Sequence, residues 1–349
     1  MRVLIVRLSS LGDVVHTLPV AAALRRAFPD AAIDWVVDER NAGLLALVPV
    51  LDQVVVLRTR SQSALGAVID CRRTLRRRAY DVALDVQGLG KSALVARLSG
   101  APRVVGFTTP FLRERWSRVF HSEAADPGHL THVVDRNLGL LTALGIDDAR
   151  WEFPLEPRSS DSTPSVERLL DSGDGRFALI NPNTAWSNKC WPPERFGAVA
   201  ARVRRAHGLR SVVLWGPGDE PRADAVVAAS DGAATIAPQT DLADLVALLQ
   251  AATVVVSGDT GPLHLAAAVG TPVVGIYGPS NPARNGPWSP HDVVVSRFTS
   301  CVCHQERDRT GPAGRMVRHC EASTWCLDDI SADEVCGAVD RRIESLIGA

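Results

Sequence analysis

Short apolar, β-branched runs recur along this chain, each closed by a small polar turn and followed by a segment with apolar residues at helical spacing. That alternation restricts the fold more than any other feature. The first unit is Val3–Val6, the turn Ser9-Ser10-Leu11-Gly12 and a helical pattern from Asp13 to Ala27. Ile33–Val37, Val54–Leu57 and Val82–Val86 read as further strands, with a basic helix near Cys71–Arg78 and the turn Gln87-Gly88-Leu89-Gly90 after the last strand. Strands and helices in this order favour an α/β fold with a parallel sheet covered by helices.

The pattern stops and then starts again. Between Leu155 and Arg176 the chain is poor in large apolar residues and rich in Ser, Pro, Asp and Gly, which predicts a linker with one short helix. Strands follow at Phe177–Asn181, Ser211–Trp215, Thr253–Ser257 and Val273–Tyr277, with helices over Pro193–Ala206, Arg222–Ala229 and Leu242–Gln250. Each half reads as a doubly wound domain, and 349 residues suit two domains of roughly 150. The expected division is residues 1–160, a linker over 161–176, a second domain over 177–330 and a C-terminal helix over 331–349.

Composition excludes several classes of function. With 46% hydrophobic and 22% charged residues the chain is neither disordered nor collagen-like. Its 38 Lys+Arg nearly cancel 39 Asp+Glu, so no global field draws it to nucleic acid, and an anionic partner must meet a local patch. No run reaches the roughly 18 apolar residues of a transmembrane helix. The start MRVLIVRLSSLGD lacks the apolar stretch and cleavage site of a signal peptide, so a cytoplasmic chain with reduced cysteines is expected, in peripheral contact at most with a membrane.

In doubly wound folds ligands bind beyond the carboxyl ends of the strands. Gly258-Asp259-Thr260-Gly261-Pro262, between a strand and a small-residue helix, has the form of a phosphate cradle. Thr260 suits a helix cap, Pro262 the first helical position, and the N–H groups of Thr260, Gly261, Leu263 and His264 an anion. A purely structural turn is the competing reading, and His264 alone fits helix packing equally well. Glu220, after Trp215-Gly216-Pro217-Gly218-Asp219, suits either a ribose diol or solvent. Lys189, between Trp186 and Trp191, suits a departing diphosphate or an ordinary surface position. Asp13 fits a first-turn helix charge or a base for an incoming hydroxyl. G-x-G-x-x-G and G-x-x-x-x-G-K-[ST] are absent, which argues against a standard dinucleotide site or a P-loop.

Five segments taken together carry a resemblance: RLSSLGDVVHTLP at 7–19, DVQGLGKSALVARL at 85–98, NKCWPPERF at 188–196, LWGPGDE at 214–220 and SGDTGPLHLAAAVGTPVVGIYGP at 257–279. In this order and spacing the chain resembles the bacterial ADP-heptose:lipopolysaccharide heptosyltransferases of glycosyltransferase family 9. The resemblance implies a GT-B architecture, two Rossmann-like domains facing an interdomain cleft, with the acceptor on the first and the nucleotide sugar on the second. It implies Asp13 as catalytic base and Lys189 as stabiliser of the leaving diphosphate. Thr184, Glu220, Asp259, Thr260, Gly261 and His264 are implied as donor ligands, and Ser10, Lys91, Arg113 and His132 as acceptor ligands. The implied partners are ADP-heptose and the lipid A–Kdo inner core of lipopolysaccharide, met at the cytoplasmic face of the inner membrane. The match departs at Cys190, a position open to His in the family, and at Thr240, where a longer apolar side chain can cover the adenine.

The chemistry of an inverting transfer agrees with this set, since it needs one base and charge stabilisation for the leaving group. No strand-end Asp-x-Asp lies near the donor loops, so neither a metal nor a cofactor is expected. Cys301, Cys303, Cys320 and Cys326, beside His304 and His319, lack the paired spacing of common zinc sites and read as thiols or an incidental disulfide. The run Cys71–Arg78 is either a solvated helix face or a patch for anionic headgroups. A transferase with another nucleotide sugar or acceptor, a sugar-nucleotide epimerase and a carbohydrate-binding protein are the competing functions. The epimerase would leave the Ser9–Asp13 loop and the basic first half without a role.

Overall fold

The computed structural model describes residues 1–59, 61, 63–147, 150–156, 164–171, 175–301 and 325–347. The chain divides after Glu156 into two compact units. In the first, β1 (Arg2–Val6), β2 (Ala32–Asp38), β3 (Gln53–Leu57), β4 (Val82–Asp85), β5 (Arg103–Phe107) and β6 (Glu123–Ala125) form one sheet in the order β3-β2-β1-β4-β5-β6. In the second, β7 (Phe177–Asn181), β8 (Arg210–Val213), β9 (Ala234–Ile236), β10 (Val254–Gly258), β11 (Val273–Tyr277) and β12 (Val293–Ser296) form another, in the order β12-β11-β10-β7-β8-β9. Every pair is parallel. Counted from its own first strand, each sheet has the order 3-2-1-4-5-6 of a Rossmann fold, which reverses direction between β1 and β4 and between β7 and β10.

Helices on both faces explain why the strands read as continuous apolar runs: Val3 to Val6, and Phe177 to Ile180, are wholly buried. The first unit carries α1 (Leu11–Val15), α2 (Leu18–Ala27), α3 (Ala42–Leu45), α4 (Ala64–Arg78), α5 (Gly90–Leu98) and α6 (Val133–Gly139). The second carries α7 (Pro164–Leu170), α8 (Pro193–His207), α9 (Glu220–Ala228), α10 (Leu242–Ala251), α11 (Gly261–Ala268), α12 (Pro282–Asn285) and α13 (Ala332–Ile347). The single helix expected from Asp13 to Ala27 is two, because Pro19 has no N–H to give the Val15 carbonyl. Thr17 Oγ1 instead donates to the Asp13 carbonyl at 2.8 Å, closing the first helix.

The C-terminal helix α13 belongs to the second unit's core. Val335, Val339 and Ile343 pack with Phe196, Val199 and Val203 of α8, and Asp340 accepts from Arg202 at 2.9 Å. On its other side α8 meets α9 at Gly197, where an added Cβ would lie 2.6 Å from the Ala229 Cβ and 2.8 Å from its carbonyl oxygen. Backbone cannot yield as a flexible side chain does. Gly197→Ala is therefore expected to cost about 1–3 kcal/mol, read as a lower denaturation midpoint at unchanged slope. An unmoved midpoint would refute this close approach.

Candidate active site

In the first unit, β1 delivers the chain to Ser10, the N-cap of α1, and Asp13 falls at the third helical position. One carboxylate oxygen of Asp13 accepts from both the N–H and the hydroxyl of Ser10, each at 3.0 Å. The other pairs with Arg7 Nη2 at 2.6 Å. Arg7 is buried and also donates through Nη1 to the Val86 carbonyl, so the cation is fixed between β1 and β4. The Asp13 side chain keeps 35% of its exposure, so the carboxylate is oriented by Arg7 and Ser10 and still faces solvent. Arg7 was not among the expected site residues; its signal is a cation closing an otherwise apolar strand.

The neighbouring loops are organised by a buried pair. Asp85, at the end of β4, accepts from the N–H groups of Gln87 at 3.1 Å and Gly88 at 3.2 Å, while its second oxygen meets His121 Nε2 at 2.9 Å. Gly88 adopts φ +68°, a left-handed conformation that favours glycine. Gln87 Oε1 accepts from the Leu8 N–H at 2.8 Å and ties this loop to the Ser10 loop. Glu114 accepts from the Gly90 N–H at 2.7 Å and donates its own N–H to the Gly88 carbonyl at 3.2 Å, which sets Arg113 beside the same loop. Lys91, second in α5, and Arg113 are both exposed. His132 is the N-cap of α6, with Nδ1 accepting from the Val134 N–H at 3.2 Å. Its ring stands edge-on to His16, 5.8 Å between centroids, and 4.5 Å from Trp151. Ser10 and Asp13 are thus in direct contact, His132 adjoins the end of their helix, and Lys91 and Arg113 share the next loops.

In the second unit Thr184 and Lys189 lie beyond β7 and Asp259, Thr260, Gly261 and His264 beyond β10, whereas Glu220 follows β8. Gly258 permits a close approach: an added Cβ would lie 3.2 Å from Thr184 Cγ2 and 3.4 Å from the Lys189 carbonyl oxygen. Asp259 is buried and pairs with Lys189 Nζ, with His264 Nε2 at 3.2 Å and with Asn285 Nδ2 at 2.7 Å. Burial opposes its ionisation more than any other single influence. The Lys189 charge and the His264 contact outweigh burial together and hold the carboxyl far below the usual carboxylate range. Lys189 also lies 5.1 Å from the centre of the Trp186 ring. Asp259, expected as a sugar ligand, therefore serves first as the counter-ion of Lys189 in this structure.

Two local expectations are corrected. Thr260 occupies the N-cap of α11, but its hydroxyl makes no cap: it accepts from Asn181 Nδ2 at 3.0 Å and contacts Ser257 Oγ at 3.1 Å. The His264 N–H, expected to face an anion, is taken by the Thr260 carbonyl at 3.3 Å. Gly261 and Leu263 lie in the first turn, where a helix offers no acceptor for its N–H groups, and Pro262 is second rather than first. Thr184 donates to the Trp186 carbonyl at 2.7 Å and touches Cys190 Sγ at 3.2 Å, which braces the loop that carries Lys189. Glu220 opens α9 behind the N-cap Asp219, whose carboxyl is pushed up by burial. Asn181, Ser257 and Asn285 were missed; Asn181 and Ser257 look like strand ends in sequence, and Asn285 sits in an unremarkable turn. Cys301 is a buried free thiol and Cys326 is part-buried, whereas Cys303, Cys320, His304 and His319 lie outside the described residues. Among the described residues no cluster of ligands suits a metal.

Both sets of loops thus stand at the carboxyl ends of their strands, around the two points where strand order reverses. The model of glycosyltransferase family 9 (heptosyltransferase) matches residues 68–315. The chain belongs to that family. Lipopolysaccharide heptosyltransferase 1 of Pseudomonas aeruginosa is 32% identical over 311 residues, which cover 86% of this chain and 85% of that protein. The enzyme of the same name from Salmonella typhimurium is 32% identical over 300 residues, 82% of this chain and 91% of its own. Among solved structures, Escherichia coli heptosyltransferase WaaC with ADP superposes with a TM-score of 0.72 at 25% identity, covering 99% of this chain and 98% of that one. This family member is a glycosyltransferase of GT-B architecture.

Proposed function

We propose that this glycosyltransferase moves L-glycero-D-manno-heptose from ADP-heptose to the Kdo/heptose inner core of lipopolysaccharide, with inversion at the anomeric carbon. The observation that carries the reading is the Lys189–Asp259–His264 cluster at the start of α11, a cation held ready where helix N–H groups have no internal acceptor. Asp13, fixed by Arg7 and Ser10, takes the proton of the acceptor hydroxyl as the new C–O bond forms. ADP departs with the bonding electrons, and Lys189 with the N–H groups of Gly261 and Leu263 neutralises its growing charge. Thr184, Thr260 and His264 shape the diphosphate and sugar subsites, and Glu220 receives the ribose hydroxyls. Ser10, Lys91, Arg113 and His132 face the acidic sugar and phosphates of the acceptor.

The same reading places the enzyme in the cytoplasm, in peripheral contact with the inner membrane. No helix among the described residues is long and apolar enough to cross a membrane. Arg72, Arg73, Arg76 and Arg77 of α4, with Ile69, line an open, shallow stretch of surface and suit anionic headgroups. The direct test incubates the protein with ADP-heptose, with and without a Kdo-terminated acceptor: acceptor-dependent ADP release is expected, and acceptor-independent turnover or none would overturn the reading. Because Lys189 and α11 supply the charge stabilisation, turnover is expected to persist in excess EDTA. Loss of activity restored by one divalent cation would remove Lys189 from that role.

A further inference from the structure

Beside the proposed acceptor loops the first unit carries an unusual apolar edge. The segment Arg115–Phe120 is a 3₁₀ helix, in which residues three apart eclipse one another. Arg115 and Arg118 therefore share one edge, Trp116 and Val119 a second, and Ser117 and Phe120 a third. The third is the inward edge, since Ser117 is wholly buried, whereas Trp116 keeps 59% and Val119 79% of its exposure. The Trp116 ring lies over Gly90, where an added Cβ would come within 2.1 Å of it, so the turn is seated on the start of α5. One helical turn beyond Gly90, Leu94 is 37% exposed, and it extends the apolar strip. Lys91, Arg97, Arg113 and Arg115 are exposed around that strip. The acidic residue that precedes the turn, Glu114, is bound to the Gly90 N–H.

We infer that this strip, Trp116, Val119 and Leu94 within a rim of Arg and Lys, is the surface by which the protein lies on an anionic lipid bilayer. The inference rests on the lipid-linked acceptor of the proposed function and goes beyond the headgroup attraction of α4. An indole at the headgroup level, aliphatic side chains just below it and guanidinium groups beside phosphates satisfy each group in turn. Long-range attraction by the α4 arginines and short-range insertion by Trp116 and Val119 are separate contributions to binding. Lys91 and Arg113, proposed to hold acceptor phosphates, adjoin the strip, which sets them at the depth where a lipid-borne sugar emerges.

The test uses the full chain and sedimentation with vesicles of phosphatidylethanolamine containing about one-third phosphatidylglycerol, against vesicles of phosphatidylcholine alone. The double variant Trp116→Ser, Val119→Ser is expected to partition about tenfold or more weaker onto the anionic vesicles, and Arg115→Glu to weaken binding in a salt-dependent way. Turnover of an acceptor stripped of its acyl chains should be unchanged in the double variant, while KM for acceptor embedded in vesicles rises. Unchanged partitioning of the double variant would overturn the inference, as would a loss confined to Arg72→Glu, Arg77→Glu. So would a strip that only joins copies of the chain, seen as a change in the sedimentation of free protein with vesicle binding intact. Failure of the wild type to turn over acyl-free acceptor strikes the proposed function instead, so the two failures are distinguishable.

Discussion

Asp13→Asn is expected to lower acceptor-dependent ADP release by about 10²–10⁴-fold, the range for loss of a positioned general base. The amide keeps the size of the carboxylate and its place at the third position of α1, but it cannot accept the proton of the attacking hydroxyl. Local structure should survive, because Arg7 retains its bond to the Val86 carbonyl and Ser10 remains the N-cap. ADP affinity, measured by calorimetry, should stay close to wild type, since Asp13 stands in the first unit and the loops proposed to hold the diphosphate in the second. Near-wild-type transfer by this variant would sink the base assignment. A matched loss of ADP affinity would instead mean that the substitution disturbs the donor loops. Ser10→Ala supplies a graded control: it removes one of two bonds from the same residue to Asp13, and its effect on turnover should be smaller.

The alternation of apolar runs and turns made four strands of each sheet legible, because a strand buried on both faces must be apolar throughout, whereas β5, β6, β9 and β12 were not read from the pattern. Strand ends shifted by a residue or two, as at Val82–Asp85 and Arg210–Val213, although Val86 and Leu214 still donate backbone hydrogen bonds to Val6 and Ile180, because the end of a strand frays over a residue or two. The break between α1 and α2 was written in Pro19 yet masked by the continuous helical spacing around it. Loops placed after strands pointed to the carboxyl ends of both sheets, and Asp13, Lys189 and Asp259 all lie there. Their more distant partners were not legible. Asn285 reaches Asp259 from 26 residues away, and Asp85 and His121, which order the loop beside Asp13, stand 36 residues apart; no local spacing encodes such pairs, whereas Arg7, six residues from Asp13, was open to reading as a cation closing an apolar strand. The pairing of Lys189 with Asp259, 70 residues apart, was invisible for the same reason, although both residues had been singled out separately. Sequence pattern reports which groups are present at a strand end, whereas counter-ions are chosen by sheet order.

The pairing gives Lys189→Met two separable consequences. Turnover is expected to fall by about 10²–10³-fold, the usual loss when a group that stabilises a leaving anion is removed. Stability at neutral pH should also fall, by about 3–5 kcal/mol, because Asp259 is left with His264 and Asn285 but without its cation. Its side chain is 4% exposed, so water cannot replace the lysine. The second substitution Asp259→Asn, made in the Lys189→Met background, should restore most of the stability and none of the turnover, which separates the structural role of the pair from its chemical one. The pH dependence follows from the lowered carboxyl of Asp259: a depressed acid stabilises the fold above its ordinary value of 3.8, and that contribution is lost as the pH falls below it. The stability gap between wild type and Lys189→Met, read from urea midpoints, should therefore be wide at neutral pH and narrow in acid. A gap independent of pH, or a double variant no more stable than the single, would show that the Lys189–Asp259 pair is not the electrostatic unit that its geometry describes.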